Sequence, residues 1–288
     1  MPSLVNYTSY GQLGLDVRDF TPSLPQDLVG VVGIPRSGML PACMISEIRH
    51  LPLGNLTEFA RSGQFMAGGN RLESTKLEYP VEGKVLVIDD SIYMGTEMQK
   101  SFKLWFDNQD KLSKFTPIWA AVYKNPYFHD PGILTHIETH DRRYFEWNLM
   151  HHPALVNTMC DIDGILCPDP PVDDDGVQYQ KYINSAVALY CPSVRMLAFV
   201  SMRLEKWRPE TEGWLTRHNI AYDELILCPE ATVADRRAIG GYGIFKGRHY
   251  RHSKASLFIE SCPLQAAEIA KVSEKPVICL TNGKVYQT

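Results

Sequence analysis

Short apolar runs alternate with amphipathic stretches along most of this 288-residue chain. Runs of this length, rich in Val, Ile and Leu, are typical of strands buried on both faces of a sheet. The predicted strands are residues 28–35, 84–90, 117–124, 155–163, 194–201, 223–229, 255–261 and 275–281. The predicted helices are residues 40–51, 96–109, 209–219 and 262–273. Alternation of this kind predicts an α/β fold with doubly wound, mainly parallel sheets.

Pairs of carboxylates stand at the carboxyl ends of two predicted strands. Asp89 and Asp90 end one strand, and Asp161 and Asp163 end another. Open α/β sheets bind their ligands at the carboxyl ends of strands. The two pairs therefore predict two active sites, each on a sheet of its own.

The length of the chain suits two domains of ordinary size. A boundary fits best in the aromatic, His-rich stretch 142–155, and the predicted domains are residues 1–150 and 151–288. A hydrophobic content of 44% and a charged content of 22% are globular values.

The net charge and the cysteine content limit which classes of partner and which cellular compartment are expected. The net charge is −4 and no long basic run occurs, so the sequence predicts no binding to nucleic acid. The seven cysteines form no CxxC pair and are expected to be reduced thiols. No signal peptide and no apolar stretch of ~20 residues is present, so a soluble, cytoplasmic protein without stable membrane insertion is expected. A homodimer is compatible with the sequence, which does not fix the oligomeric state.

The stretch VLVIDDSIYMGTEM (85–98) combines groups that suit a sugar phosphate. Asp89 and Asp90 can grip a vicinal diol, Gly95 lets the backbone approach a ligand, and the following helix start offers amides to a phosphate. Diol and phosphate together describe a ribose 5-phosphate. The alternative is an acidic turn that caps a helix.

This stretch resembles the phosphoribosyl pyrophosphate (PRPP) motif of type I phosphoribosyltransferases, especially the orotate-type variant. The resemblance implies that Asp89 and Asp90 hold the ribose hydroxyls. Tyr93 and Met94 are larger than the residues usual in the family. The residues implied to cradle the 5-phosphate are Ser91, Ile92, Tyr93, Met94, Gly95 and Thr96.

Two stretches upstream extend the resemblance. VVGIPRSGMLPA (31–42) is similar to the pyrophosphate loop of the family, which often contains a cis peptide bond. Its implied PRPP-binding residues are Arg36, Ser37 and Gly38. The glycine-rich stretch 59–74 resembles the mobile loop that closes over the reacting centre, with Arg71 a candidate to reach pyrophosphate. A plain surface loop is the alternative for that stretch.

In the second half, DIDGILCP presents Asp161 and Asp163 at a strand end. Residues i and i+2 of an extended chain point the same way, so both carboxylates can face one ligand, one as nucleophile and the other as acid or base. A lone DxD pattern is common in loops. Ser201, Lys246 and Glu260 follow it, the serine and the glutamate at the ends of later predicted strands.

This ordered set resembles the haloacid dehalogenase superfamily of phosphatases, from about residue 155 onward. The resemblance implies that Asp161 forms an aspartyl-phosphate, that Asp163 protonates the leaving alcohol, and that Ser201 and Lys246 hold the phosphoryl group. Two departures occur: Ser261 stands where the family often has a second acid, and Lys254 is a rival to Lys246. The implied Mg²⁺ ligands are Asp161, Asp163 and Glu260. The interval between the first two motifs leaves no room for a large cap domain.

Together the two resemblances imply a bifunctional enzyme that uses PRPP and Mg²⁺. A phosphoribosyl group would pass to an acceptor, and the phosphatase would remove the 5-phosphate to leave ribofuranose. This is similar to paired activities that build bacterial surface polysaccharides, so a glycan acceptor is expected, with another small molecule as acceptor still open. The alternatives are a nucleobase phosphoribosyltransferase with a fused nucleotidase, and a PRPP-sensing protein with an inactive phosphatase domain.

Overall fold

The computed structural model describes residues 4–66, 82–140, 142–171 and 176–287. Its chain forms two compact units. The first unit is Thr8–Arg143, and the second unit is Tyr144–Thr288 together with the N-terminal segment through Tyr7. The short strand β1 (Asn6–Thr8) begins the described secondary structure.

The first unit is built on a five-stranded sheet in the order β3-β2-β4-β5-β6, and every neighbouring pair is parallel. Its strands are β2 (Leu28–Gly33), β3 (Leu53–Asn55), β4 (Gly83–Ile92), β5 (Phe115–Lys124) and β6 (Ile133–Glu138). Its helices are α1 (Tyr10–Phe20), α2 (Met39–Arg49), α3 (Leu56–Ser62), α4 (Thr96–Phe106) and α5 (Gln109–Leu112).

The central strand β4 explains why this sheet is covered by helices. Residues 85–88 of β4 are fully buried, as expected for a parallel strand enclosed on both faces. Phe59 of α3 and Trp105 of α4 join Val85 and Val87 in one core cluster. Helix α2 packs against β2 and β4. The core therefore fixes the carboxyl ends of β2 and β4 beside each other.

The second unit is built on a six-stranded sheet in the order β10-β9-β8-β11-β12-β13, parallel except for β13. Strand β7 (Arg143–Phe145) pairs with β1 in a two-stranded sheet. The strands of the large sheet are β8 (Thr158–Cys160), β9 (Met196–Leu204), β10 (Tyr222–Cys228), β11 (Leu257–Glu260), β12 (Val277–Cys279) and β13 (Lys284–Tyr286). The helices are α6 (Val177–Ser185), α7 (Arg208–Arg217), α8 (Val233–Ile239), α9 (Tyr242–His252) and α10 (Pro263–Ser273).

The division between the units differs from the predicted domains 1–150 and 151–288. It falls after Arg143, and the N-terminal segment belongs to the second unit. The physical reason is burial, because Val5, Tyr144 and Leu149 lie in the same core cluster of the second unit.

The predicted strands differ from the structure at their ends, and three of these differences lie at the candidate sites. β4 continues through Ile92 instead of ending at Asp90, because its pairing with β5 continues to that residue. β9 likewise continues past Ser201 to Leu204. β8 is shorter than the predicted 155–163, because a 3₁₀ helix that begins at Pro153 precedes it. Ser91 and Ile92, which were predicted to lie in the turn, therefore belong to strand β4, and Ser201 lies within β9 rather than at its end.

Candidate functional sites

The first site lies where the strand order of the first sheet reverses. From β2 the chain moves outward to β3, and from β4 it moves the other way to β5. At such a reversal the loops that leave the two strands usually diverge, so a ligand crevice is expected at the carboxyl ends of β2 and β4. Ligands of open α/β sheets bind in such crevices.

The loop between β2 and α2 lies directly against the backbone of β4. A Cβ built on Gly38 would lie 2.6 Å from the carbonyl oxygens of Ile34 and Ile88 and 2.9 Å from the Cα of Asp89. The amide of Ile34 donates to the carbonyl of Ile88 at 2.9 Å. Because backbone atoms surround the position, a side chain at Gly38 requires the loop to move away from β4.

The rest of this loop contains a cis peptide bond and two hydrogen bonds that lead into helix α2. The peptide bond between Pro35 and Arg36 is cis, as the resemblance implied. The amide of Met39 donates to the carbonyl of Arg36 at 3.1 Å, and that of Leu40 to the carbonyl of Ser37 at 3.0 Å. The loop thus folds into the first turn of α2, with the Arg36 side chain exposed beside the crevice end of β2.

Asp89 and Asp90 form a buried carboxyl pair near the end of β4. Their exposed fractions are 8% and 5%, and the amide of Asp90 donates to Oδ1 of Asp89 at 2.8 Å. Burial raises the pKa of Asp89 to about 8, and the neighbouring charge of Asp90 adds to the rise. A ligand that donates hydroxyl groups or brings positive charge would relieve this crowding of negative charge.

The turn after β4 is shaped by Gly95. This residue has φ +81° and stands directly before α4, and a Cβ built on it would lie 2.6 Å from Cε2 of Phe128. No side chain caps the N-terminus of α4 among the described contacts of that helix. Ser91 and Ile92 belong to β4, whereas Thr96 opens α4. The predicted phosphate cradle therefore spans a strand end, a turn and a helix start.

The two large residues of this turn are exposed. Tyr93 is 48% and Met94 is 71% exposed. The guanidinium of Arg143 lies 5.2 Å from the centre of the Tyr93 ring and donates to the carbonyl of Ile92 at 3.0 Å. Arg143 therefore holds Tyr93 at the edge of the turn. Arg71, the remaining predicted PRPP contact, lies outside the described residues.

The second site lies at the reversal of strand order in the second sheet, between β8 and β11. Nζ of Lys246 donates to Oδ2 of Asp161 at 2.5 Å and to Oε2 of Glu260 at 2.8 Å. All three side chains are buried, and Glu260 is fully enclosed. Lys254, the rival lysine, is exposed to solvent. The structure thus brings Asp161, Lys246 and Glu260 together in one cluster.

Backbone amides orient the two carboxylates of this cluster. Oδ1 of Asp161 accepts from the amide of Ile162 at 2.8 Å. Oε1 of Glu260 accepts from the amides of Ser261 and Cys262 at 2.9 and 3.1 Å. The remaining oxygen of each carboxylate faces Lys246. These contacts fix both acids in single orientations.

Charges in the cluster are strongly coupled. Burial raises the pKa of Asp161 to about 8 against the opposing effect of Lys246, and Glu260 adds to the rise. Burial alone would lower the pKa of Lys246, but the two carboxylates outweigh it and raise that pKa above its usual value. Lys246 is therefore a fixed positive charge between two acids.

Asp163 faces a different partner. Nη2 and Nε of Arg203 donate to its Oδ1 and Oδ2 at 2.6 and 3.0 Å, which is a bidentate ion pair. Burial would raise the pKa of Asp163, but Arg203 outweighs burial and lowers it. The side chain of Asp163 is 15% exposed. Its carboxylate is thus fixed by the arginine and not by Lys246.

A cavity of about 140 Å³ connects these groups. It brings together the predicted residues Asp161, Asp163, Ser201 and Lys246. Ser201 is buried, and its Oγ accepts from the amide of Arg203 at 3.2 Å. The cavity is also lined by residues that the sequence did not point to, among them Arg203, Arg236, Tyr179, Tyr242 and Gln265.

Asp161 and Glu260 offer carboxylate oxygens of the kind that Mg²⁺ prefers, and Lys246 lies between them in this structure. Among the described residues no group of three His, Cys, Asp or Glu side chains converges as a ready-made metal cage. Mg²⁺ is commonly held by one or two carboxylates together with waters and substrate phosphates, and Asp161 and Glu260 supply two. The raised pKa of Asp161 marks a place where added positive charge would favour the ionised form. Asp163, engaged by Arg203, stays a prediction as a ligand.

One missed residue had a signal in the sequence. Arg203 interrupts the apolar run that forms β9, and a buried arginine requires an acidic partner. Asp163 is that partner. Arg236 and Tyr242 belong to α8 and α9, whose approach to the cavity depends on helix packing that no local pattern encodes.

Comparison with known proteins adds only a likeness of structure. No family model and no curated protein matches the chain. A purine phosphoribosyltransferase of Pyrococcus horikoshii is 16% identical, with a TM-score of 0.34 over 49% of this chain and 92% of that one. The xanthine-guanine-hypoxanthine phosphoribosyltransferase of Helicobacter pylori is 14% identical, with a TM-score of 0.36 over 50% and 93%.

A third similar structure is the orotate phosphoribosyltransferase of Aeropyrum pernix. It is 16% identical, with a TM-score of 0.29 over 49% of this chain and 75% of that one. Likenesses of this strength, over half of the chain, do not assign an activity.

In the described part of the chain, no helix has both the length and the apolar character that crossing a bilayer requires.

Proposed function

We propose that this chain is a bifunctional enzyme. Its first unit transfers the 5-phosphoribosyl group of PRPP to an acceptor, and its second unit removes the 5-phosphate. The observation that carries the proposal is that, in both sheets, the acidic residues converge at the crevice where strand order reverses. The sequence alone had assigned a different chemistry to each of these crevices.

Three features of the first unit support the transferase. Gly38 lies against Asp89, so the loop proposed for pyrophosphate and the acids proposed for ribose border one crevice. The buried pair Asp89 and Asp90 suits a diol, and the uncapped start of α4 after Gly95 suits a phosphate. In the reaction the bond from C1 to pyrophosphate breaks through an oxocarbenium-like transition state, and the acceptor attacks C1.

In the second unit, Asp161 is the proposed nucleophile. Its carboxylate is buried, oriented by the amide of Ile162, and paired with Lys246, whose charge can also bind a phosphoryl oxygen. Ser201 lies in the same cavity and can donate to another oxygen. A bound Mg²⁺ would supply additional charge stabilisation for the phosphoryl group, and Asp161 and Glu260 are the residues that would hold it.

A glycan is the proposed acceptor, as in the assembly of surface polysaccharide. Between β8 and β9 the described residues form one short helix, α6, so a large phosphorylated product is not excluded by a cap domain in that part of the chain. The alternative acceptor is a free nucleobase, for which the second unit would act as a nucleotidase.

The transferase is tested by binding. Isothermal titration with Mg²⁺-PRPP should detect binding to the wild type and none to the double variant Asp89→Asn/Asp90→Asn, whose folding is verified by circular dichroism. Equal binding by a folded double variant would refute the proposed site.

Mass spectrometry after incubation with PRPP and either a nucleobase panel or lipid-linked glycans then separates the two acceptors. Ribosylation of a base, with no glycan product, would favour nucleotide metabolism.

A further inference from the structure

Arg236 is a buried arginine that the proposed phosphatase chemistry does not use. It lies on α8, is 4% exposed, and lines the same cavity as Asp161, Ser201 and Lys246. Ligand cavities carry a small number of charged groups at fixed positions, and these groups determine which ligands bind. A guanidinium in this wall is therefore placed to select a ligand by its charge.

Two contacts hold the guanidinium of Arg236 at the cavity wall. Nη1 donates to the carbonyl of Met202 at 3.0 Å, and the group lies 5.7 Å from the centre of the Tyr242 ring. Met202 directly follows Ser201, the residue proposed to donate to a phosphoryl oxygen. A carbonyl and an aromatic face are uncharged, so these two contacts orient the guanidinium without cancelling its charge. The charge is thus held next to the part of β9 that carries Ser201.

The path of the chain brings a second cation to the same cavity from the next helix. Gly240 and Gly241, with φ of +56° and +55°, join α8 to α9 in a conformation that favours glycine. Tyr242 and Lys246 then stand four positions apart on one face of α9, and both line the cavity. Two successive helices therefore supply Arg236 and Lys246 to one cavity.

The carboxylates of this cavity outnumber the two cations that they hold. Asp161 and Glu260 share Lys246, and Asp163 is paired with Arg203. When all five groups are ionised, three negative charges stand against two positive charges. A phosphomonoester carries up to about two negative charges at neutral pH, so this set repels it. A further positive charge in the wall offsets that repulsion.

We propose that Arg236 binds the phosphoryl group of the substrate in the second unit, with guanidinium N–H groups donating to its non-bridging oxygens. The inference rests on the proposed phosphatase function. An arginine fork matches the oxygens of a phosphate group and stays charged at any pH at which proteins fold. Arg236 exchanges no proton and forms no covalent bond; it holds the phosphoryl group for attack by Asp161.

Charge and hydrogen bonding can be separated at this position. Arg236→Gln keeps an N–H donor for the carbonyl of Met202 but has no charge, whereas Arg236→Lys keeps the charge. If the arginine only fastens α8 to β9, the Gln variant should bind phosphate like the wild type. If it binds the phosphoryl group, the Gln variant should not. Arg237→Met is the matched control, because Arg237 is the next residue of α8 and is exposed.

The experiment measures the Kd of inorganic phosphate by titration calorimetry, and kcat and KM on ribose 5-phosphate and p-nitrophenyl phosphate, with full-length protein and Mg²⁺. Arg236→Gln should raise the Kd and both KM values by about 10-fold or more, because a hydrogen bond between charged groups is lost. Both substrates should be affected alike, since they share the phosphoryl group. Arg236→Lys should show a smaller rise, and Arg237→Met should match the wild type.

Thermal unfolding keeps the test informative if the Gln variant is destabilised. Phosphate should raise the Tm of the wild type and of Arg237→Met, but not that of Arg236→Gln, because a ligand stabilises a protein only to the extent that it binds the folded state.

Two results would overturn the proposal. A wild-type Kd for phosphate in Arg236→Gln would remove the arginine from the phosphoryl site. A rise in KM for ribose 5-phosphate alone would place it at the sugar instead. A wild type that releases phosphate from neither substrate, yet binds phosphate through Arg236, would refute the phosphatase function and leave the anion site standing.

Discussion

Gly38 lies so close to Asp89 that a Cβ on the glycine would be 2.9 Å from the Cα of the aspartate. This contact joins two stretches that are separated by some fifty residues of sequence, including the segment 67–81. The proposed PRPP site therefore depends on the close packing of the loop after β2 against the carboxyl end of β4.

Gly38→Ala should therefore weaken PRPP binding and destabilise the protein. The added methyl group meets backbone oxygens, so the loop must shift, at a cost of about 1–3 kcal/mol. Titration calorimetry with Mg²⁺-PRPP and thermal unfolding measure the two effects. Gly14→Ala is the matched control, because a Cβ at Gly14 in α1 meets no atom within 4 Å. That substitution should leave PRPP binding unchanged and stabilise the helix by about 0.5–1 kcal/mol.

The raised pKa of Asp89 predicts a pH dependence of stability. The folded-state pKa of about 8 lies above the usual aspartate pKa of 3.8, so the folded protein binds more protons between these two pH values. The contribution of Asp89 to the free energy of unfolding should then be greatest below about pH 4. It should fall as the pH rises toward about 8, by up to about 1.4 kcal/mol per pH unit.

Asp89→Asn tests this dependence, because asparagine has no charge to lose. Chemical unfolding at pH 5 and pH 8.5, without PRPP, should show a smaller difference between the two pH values for Asp89→Asn than for the wild type. Asp110→Asn, at an exposed position on α5, should keep the wild-type difference. Identical pH profiles for wild type and Asp89→Asn would contradict the raised pKa.

Two lysines offer a matched pair in the second unit. Lys246→Met leaves the buried acids Asp161 and Glu260 without their shared cation and should destabilise the protein by about 3–5 kcal/mol. Phosphate release from ribose 5-phosphate should be lost. Lys254→Met, at an exposed position, should retain wild-type stability and phosphate release. Loss of release in Lys254→Met alone would reverse the assignment.

The sequence predicted the strand–helix alternation well, because buried parallel strands such as 85–88 are continuous apolar runs. It also singled out residues that the structure brings together, namely Asp161, Lys246 and Glu260, although they are far apart in the chain. Short edge elements such as β3 and β6 were not predicted, because three to six half-buried residues give too weak a periodicity.

Other features depended on pairing and packing that one sequence does not encode. The extension of β4 to Ile92 comes from its ladder with β5, and the membership of Val5 in the second unit comes from a distant core. The bidentate pair of Asp163 with Arg203 joins residues forty positions apart. The only signal for this pair in the sequence was an arginine that interrupts an apolar run.

The central claim is that the second unit acts on the product of the first. The most direct measurement is the mass of the acceptor product after incubation with Mg²⁺-PRPP, for the wild type and for Asp161→Asn. The account predicts an acceptor enlarged by ribose with the wild type and by phosphoribose with Asp161→Asn, at equal rates of PRPP consumption. A wild-type product that keeps its phosphate, or a folded Asp161→Asn variant that no longer transfers phosphoribose, would contradict it.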